Sequence, residues 1–341
     1  MMRNQSDFNP EVFQPHPLAR NAHVQTLLGR FVRDLDGVRY ERVRLDTPDD
    51  DFIDLDFADT REHPSSSIGD TAPILLLLHG LEGSAQAVYA GELYRSALAD
   101  GFRCIGMNFR TCSGEMNRTP RFYHMGATDD VHLVYTWVRK RFPQAAIVLV
   151  GVSLGGNILL KYLGEQGEKL ADHVQAAAAI SPPFVATGRQ PLNDGLIGKV
   201  YGEYLLRKLR EKVRLKAALI REIGIDPEAG IHAQTIRAFD DSITAPLHGF
   251  RDAADYYAQC NSINFLPAIR IPTLLVRSLD DPFFNRDIPY AVIDSNPYLY
   301  GSFPEHGGHV GFIEGLPPLR TENWAKRQVL RFFATEMSRT L

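Results

Sequence analysis

The chain has 341 residues, 44% hydrophobic and 23% charged, so it can bury a large core and is no disordered tract. A net charge of −4 gives no bulk attraction to nucleic acid, and three cysteines (Cys104, Cys112, Cys260) exclude a disulfide framework or zinc cluster. Those few cysteines suit a reducing compartment, and the first ten residues lack the apolar run of a secretory signal, so a cytoplasmic protein is expected.

Residues 1–34 are polar and proline-bearing and read as an irregular arm wrapped on the rest. Val38, Tyr40, Val43 and Leu45 alternate, as do Ile53, Leu55 and Phe57, with Thr47-Pro48-Asp49-Asp50 between them. That pattern predicts an antiparallel hairpin. Asp51, Asp54, Asp56 and Asp59 lack the glycine and distal glutamate of a calcium loop and are expected on a solvated strand face.

From residue 71, short apolar runs alternate with helical patterns. Strands are predicted at Ile74–Leu78, Cys104–Asn108, Ile147–Val150, Ala176–Ile180, Thr273–Val276 and Tyr298–Phe303. Helices are predicted at 85–99, 128–141, 154–164, 250–259 and 321–337. Runs apolar on both faces, interleaved with helices, imply an α/β fold with a mostly parallel sheet covered on both sides. The longest aliphatic run, Ile74–Leu78, is too short to cross a bilayer.

Residues 184–266 break this rhythm and read as a helical cap inserted between two parts of one core, 35–183 and 267–341. Within them Leu206, Leu209, Val213, Ala217 and Ile220 share one face of a long helix, opposite Arg207, Lys208, Arg210, Lys212, Arg214 and Lys216. Such a helix could lie on an anionic membrane. The expectation favoured is a cap whose apolar stripe packs down and whose basic side chains are merely solvated.

The richest stretch is Gly151-Val152-Ser153-Leu154-Gly155, between the apolar run Ile147–Val150 and a helical sequence. A strand turning sharply into a helix holds its apical serine in a crowded conformation, with near side-chain-free positions two before and two after. Gly151 and Gly155 fill those positions. A serine hydroxyl is a weak nucleophile and needs a general base, which a carboxylate in turn orients. Of eleven histidines, His306 and His309 lie late in the chain on a glycine-rich loop, and His309, flanked by glycines, is the predicted base.

After the strand Thr273–Val276 come Asp280 and Asp281; Asp281 is preferred because Pro282 follows it, and Asp280 competes. The N–H of Leu154 and that of Leu81, in His79-Gly80-Leu81-Glu82-Gly83-Ser84, are the candidate oxyanion donors. Phe283, Phe284 and Phe312, with Tyr256 and Tyr257 from the cap edge, are candidate substrate contacts. His306 and His309 lack a third ligand at useful spacing, so no metal is expected, nor an organic cofactor.

These segments, with Asn21-Ala22-His23-Val24-Gln25-Thr26 and Asn108-Phe109-Arg110-Thr111-Cys112-Ser113-Gly114-Glu115, resemble the YheT-like α/β-hydrolases, which include esterases and acyltransferases of acyl esters. The likeness runs along nearly the whole chain and extends to Gly156-Asn157, Asp280-Asp281-Pro282-Phe283 and Gly307-Gly308-His309-Val310-Gly311-Phe312. It implies the α/β-hydrolase fold and a charge relay of Ser153, Asp281 and His309. Thr111 stands where glycine is expected after the arginine, and Asn285 where a proline often follows the acid loop. The expected activity is cleavage of a small-molecule ester with a short to medium acyl group. An acyltransferase, or a ligand-binding protein on the same fold, are the alternatives.

Overall fold

The computed structural model describes residues 8–31, 37–64, 68–187, 195–315 and 321–339. Helix α1 (Ala22–Phe31) precedes the hairpin of β1 (Val38–Asp46) and β2 (Phe52–Thr60). Then follow β3 (Ile74–Leu78), α2 (Val88–Ala99), β4 (Arg103–Asn108), α3 (Thr128–Arg141), β5 (Ile147–Val152), α4 (Leu154–Gln166) and β6 (Val174–Ile180). Next come α5 (Gly195–Leu215), α6 (Ala217–Glu222), α7 (Pro227–Ile231), α8 (Ile236–Phe239), α9 (Ala245–Leu247) and α10 (Ala253–Cys260). The chain closes with β7 (Thr273–Val276), α11 (Tyr290–Ser295), β8 (Leu299–Ser302), β9 (Ile313–Glu314), β10 (Glu322–Asn323) and α12 (Trp324–Ser338).

Strands β1 to β8 form one sheet in the order β1-β2-β4-β3-β5-β6-β7-β8. Strand β2 alone runs against the others, pairing antiparallel with β1 and β4, and β3 to β8 run parallel. The alternation of side chains along each strand divides the core in two. Leu76, Leu78 and Leu149 face α3 and α4, while Leu75, Leu77, Val148 and Val150 face α2 and α12. Covered on both sides, these strands need no polar face, which is why they read as unbroken apolar runs. Parallel pairing also brings the loops after β3, β5, β7 and β8 to a single sheet edge.

Three expectations need correction. The arm is not all irregular: α1 spans Ala22–Phe31, capped by Asn21 Oδ1, which accepts from the N–H groups of His23 and Val24. Residues 8–16 do wrap the body, with Phe8 against Phe332 and Phe13 against Phe312 and Trp324. Residues 1–7 and 32–34 of that arm, and 188–194 of the expected cap, lie outside the described residues.

Three of the four aspartates are not solvated, since Asp51, Asp54 and Asp56 are fully buried, whereas Asp59 is half-buried beside Arg39. Arg42 and Arg44 lie opposite Asp56 and Asp54 across the hairpin and grip them through two nitrogens each. The end of β4 and the loop after it cover the pairs: Asn108 donates to Asp56, Arg42 also reaches the Ser113 carbonyl, and Arg44 binds Glu115. Arg110 ties Asp49, Asp51 and Asp130 together beneath it.

The third correction concerns the basic helix, which is interrupted at Lys216 and not wholly solvated. Lys216 is buried and donates to the carbonyls of Thr119 and Arg121. Lys208 and Lys212 also turn inward. The outward stripe mixes Arg207 and Arg214 with Glu203 and Glu211, and so is nearly balanced in charge. The predicted apolar face does pack down, with Leu206, Val213 and Ile220 around Phe122, Phe239 and Ile243. No described helix is long and apolar enough to cross a membrane.

Candidate active site

Ser153 sits between the end of β5 and the start of α4, with φ +54° and ψ −120°. That left-handed backbone strains a residue with a Cβ and turns the hydroxyl away from the sheet. The flanking glycines are required by packing. A Cβ on Gly151 would lie 2.4 Å from the Gly155 carbonyl oxygen, and one on Gly155 would lie 2.3 Å from that of Leu78.

The imidazole of His309 bridges the other two groups. Its Nε2 is 3.0 Å from Ser153 Oγ, and its Nδ1 is 2.9 Å from Asp281 Oδ2. Asp281 is nearly fully buried, and its second oxygen accepts from the Phe283 N–H at 2.8 Å. A buried carboxylate on Nδ1 holds that nitrogen protonated and leaves Nε2 free to accept. Asp280 has a different set of contacts. One oxygen accepts from the Gly308 N–H at 2.9 Å, and the other lies 3.4 Å from His306. Of the two adjacent carboxylates, only Asp281 therefore meets the His309 ring.

The sequence did not reveal how the histidine loop is held. Gln25 of α1 is fully buried; its Oε1 accepts from the Ile313 N–H, and its Nε2 donates to the carbonyls of Ile313 and Ala19. Thr26 Oγ1 accepts from the His309 N–H at 2.9 Å. Ser278 Oγ donates to the Gly308 carbonyl, and Ser181 Oγ accepts from the Val310 N–H. The N-terminal motif thus clamps the loop that carries the imidazole. The signal that could have exposed α1 is Asn21, a favoured helix N-cap, directly before it.

The loop after β3 is equally constrained. The Phe109 N–H donates to His79 Nε2, so the neutral His79 ring carries its proton on Nδ1 and donates to the Gly80 carbonyl. Burial pushes its pKa down to about 3, which leaves it a fixed strut and no proton carrier. Gly80 N–H donates to Tyr89 and Glu82 N–H to Tyr123. Among the described residues, neither the Leu81 nor the Leu154 N–H donates a hydrogen bond within the chain. Leu154 opens α4, where the first N–H groups have no intrahelical acceptor.

A cavity of about 900 Å³ opens above Ser153. Leu81, Leu154, Phe283, Phe284, Tyr256 and Tyr257 all line it. Phe283 stacks flat on the His309 ring at 4.2 Å, and Phe284 meets that ring edge-on. Phe312 is the exception among the expected contacts. It is fully buried beneath the loop, between Phe13 and Trp324, and does not line the cavity. Its φ of +50° turns it to the protein side. The lining also holds Tyr201, Lys208 and Lys212 of α5 and the buried Asp240, none of which the sequence marked as part of a site. Asp240 accepts from Tyr257 and Thr244, and burial pushes its pKa up to about 6. Among the described residues no group of three or more His, Cys, Asp or Glu side chains is placed to hold a metal ion.

An eight-stranded, mostly parallel sheet, with a strained serine on the strand–helix turn at its edge, defines a class. The model of the alpha/beta hydrolase fold matches residues 73–316, and the chain belongs to that family, in its YheT-like group. It is 37% identical over 317 residues to "Putative esterase YheT" of Escherichia coli (strain K12), covering 92% of this chain and 91% of that protein. Phospholipase ABHD3 of Mus musculus is 31% identical, over 90% of this chain and 75% of its own length. The structure of a Pyrococcus furiosus esterase matches with a TM-score of 0.55 at 16% identity, covering 97% of this chain and 98% of that one, a likeness of fold.

Proposed function

We propose that the protein is a serine hydrolase that cleaves carboxylic esters with short to medium acyl groups through an acyl-serine intermediate. The observation that carries this reading is the continuous hydrogen-bonded line from Asp281 through His309 to Ser153, the last two of which line the cavity. His309 Nε2 takes the Ser153 proton as Oγ attacks the ester carbonyl, and Asp281 stabilises the imidazolium. The free N–H groups of Leu81 and Leu154 receive the tetrahedral oxyanion, each donor contributing roughly 10²–10³ in rate. His309 then protonates the departing alcohol and later activates water to release the acid.

The cavity wall favours a neutral, apolar acyl group. The described lining cations are Lys208, Lys212 and Arg237, and each already donates to a protein oxygen. Phe283, Phe284, Tyr256 and Tyr257 supply apolar surface. A panel of p-nitrophenyl esters of graded chain length, with wild type and Ser153→Ala, tests the reading. Hydrolysis should favour short to medium chains and vanish in the variant; activity that survives Ser153→Ala would overturn it. Added alcohol distinguishes hydrolysis from acyl transfer by the product formed.

A further inference from the structure

We infer that Lys208 and Lys212 of α5 are positioning residues that latch the cap onto the oxyanion loop, so the Leu81 N–H is correctly aimed only while α5 is seated. The inference rests on the serine hydrolase reading above.

Glu82, the residue after Leu81, is where the latch closes. It holds a φ of +54°, a conformation that a residue with a Cβ keeps only when its surroundings impose it. Its N–H, its carbonyl and one carboxylate oxygen are all engaged. Its N–H donates to Tyr123 Oη at 2.7 Å, and Tyr123 donates back to Glu82 Oε1 at 2.9 Å. Its carbonyl accepts from Lys208 Nζ at 3.0 Å, and Oε1 also accepts from Lys212 Nζ at 2.8 Å. The Glu82 and Lys212 side chains are only 3% and 13% exposed, so the pair is little screened by water.

The two lysines stand four apart, on one face of the helix, and Lys216 one turn on continues the row into the carbonyls of Thr119 and Arg121. The start of the loop is tied to the body where the Gly80 N–H donates to Tyr89, and the Gly83 N–H closes the turn on the Gly80 carbonyl. Leu81 therefore lies between a core-held residue and one gripped jointly by the core, through Tyr123, and by the two lysines of the cap. Without the ammonium groups, the buried Glu82 carboxylate loses its counter-charge and the left-handed backbone loses much of what imposes it. Relaxation of Glu82 toward a right-handed conformation rotates the Leu81–Glu82 peptide and misaims the adjacent donor.

The test uses p-nitrophenyl acetate, whose acyl group is too small to depend on cap contacts. Lys212→Met, Glu82→Gln, the double variant, Lys212→Arg and Lys208→Met are compared with wild type. Rates are expressed per Ser153 that takes a fluorophosphonate label at completion, with Tm measured alongside. Lys212→Met and Glu82→Gln should each lower kcat by about 10- to 100-fold with KM little changed, as expected for a loss confined to the transition state. The double variant should be no worse than either single one, Lys212→Arg should recover much of the rate, and Lys208→Met should lose less. If Lys212→Met fails to fold, Lys208→Met decides, because it removes only the carbonyl contact. Wild-type kcat per labelled site in the folded variants, with only Tm reduced, would make the lysines merely structural and overturn the latch. A wild type that takes no label at Ser153 would remove the hydrolase reading and the latch with it.

Discussion

Thr111 holds a φ of +68°, a backbone conformation that suits glycine and costs a β-branched residue about 1–2 kcal/mol. Its N–H is taken by Asn117 Oδ1, but its hydroxyl is buried without a partner. The position is the one where the family resemblance leads one to expect glycine, and the conformation explains why. Thr111→Gly removes the strain and the orphaned hydroxyl at the cost of some chain entropy. It should raise stability by about 1 kcal/mol in urea unfolding; a loss of that size would show that the side chain contributes packing that outweighs both. Ser153 and His309 were legible because their chemistry is written in adjacent residues: a glycine two before and two after the serine, glycines around the histidine. The preference for Asp281 over Asp280 leaned on Pro282 and the family resemblance and left Asp280 open, because neighbouring carboxylates on one loop differ only in direction. The inward turn of Phe312 depends in the same way on a positive φ that its sequence neighbours do not announce.

Helix α1 shows how a motif remote from the reacting atoms can still belong to the site. Gln25 makes two hydrogen bonds to Ile313, just after the His309 loop, and a third to Ala19 of its own arm, and is wholly buried. Gln25→Ala should lower stability by about 1–3 kcal/mol, since it leaves the buried Ile313 N–H unpaired, and should lower kcat by loosening the histidine loop. Thermal unfolding and steady-state kinetics check this; an unchanged kcat would reduce α1 to a structural strap. The parallel strands were readable because burial on both faces leaves no other composition possible. Charged elements were harder to place. Asp54 and Asp56 looked solvated because their partners Arg44 and Arg42 sit on another strand, and the covering loop lies more than fifty residues away in the chain. Lys208, Lys212 and Lys216 looked like an outer face because helical spacing gives the stripe but not its direction; only their acceptors, Glu82, Thr119 and Arg121, show that it points inward.

The molecule as a whole keeps the buried His79 and His124 and the half-buried His248 neutral. Burial lowers the pKa of His79 and His124 to about 3 and that of His248 well below its usual range, and the last two rings lie 4.2 Å apart. A group whose pKa is depressed on folding contributes fully above its unfolded value, here near 6.5, and loses that contribution as pH falls toward the folded value. Asp240 acts in the opposite sense: its pKa is raised to about 6, so its contribution is lost as pH rises through 6. With three groups against one, Tm should fall steadily as pH is lowered from 7 to 5; a flat or rising Tm would mean that these rings are not held neutral. The catalytic proposal likewise depends on the complete sheet, because β5, β7 and β8 each bring one loop to the same edge. The most direct measurement is to label the purified protein with a fluorophosphonate and locate the modified residue by peptide mass spectrometry. The label should fall on Ser153 alone and form far more slowly in His309→Ala; labelling at another serine, or none in a preparation that hydrolyses esters, would contradict the account.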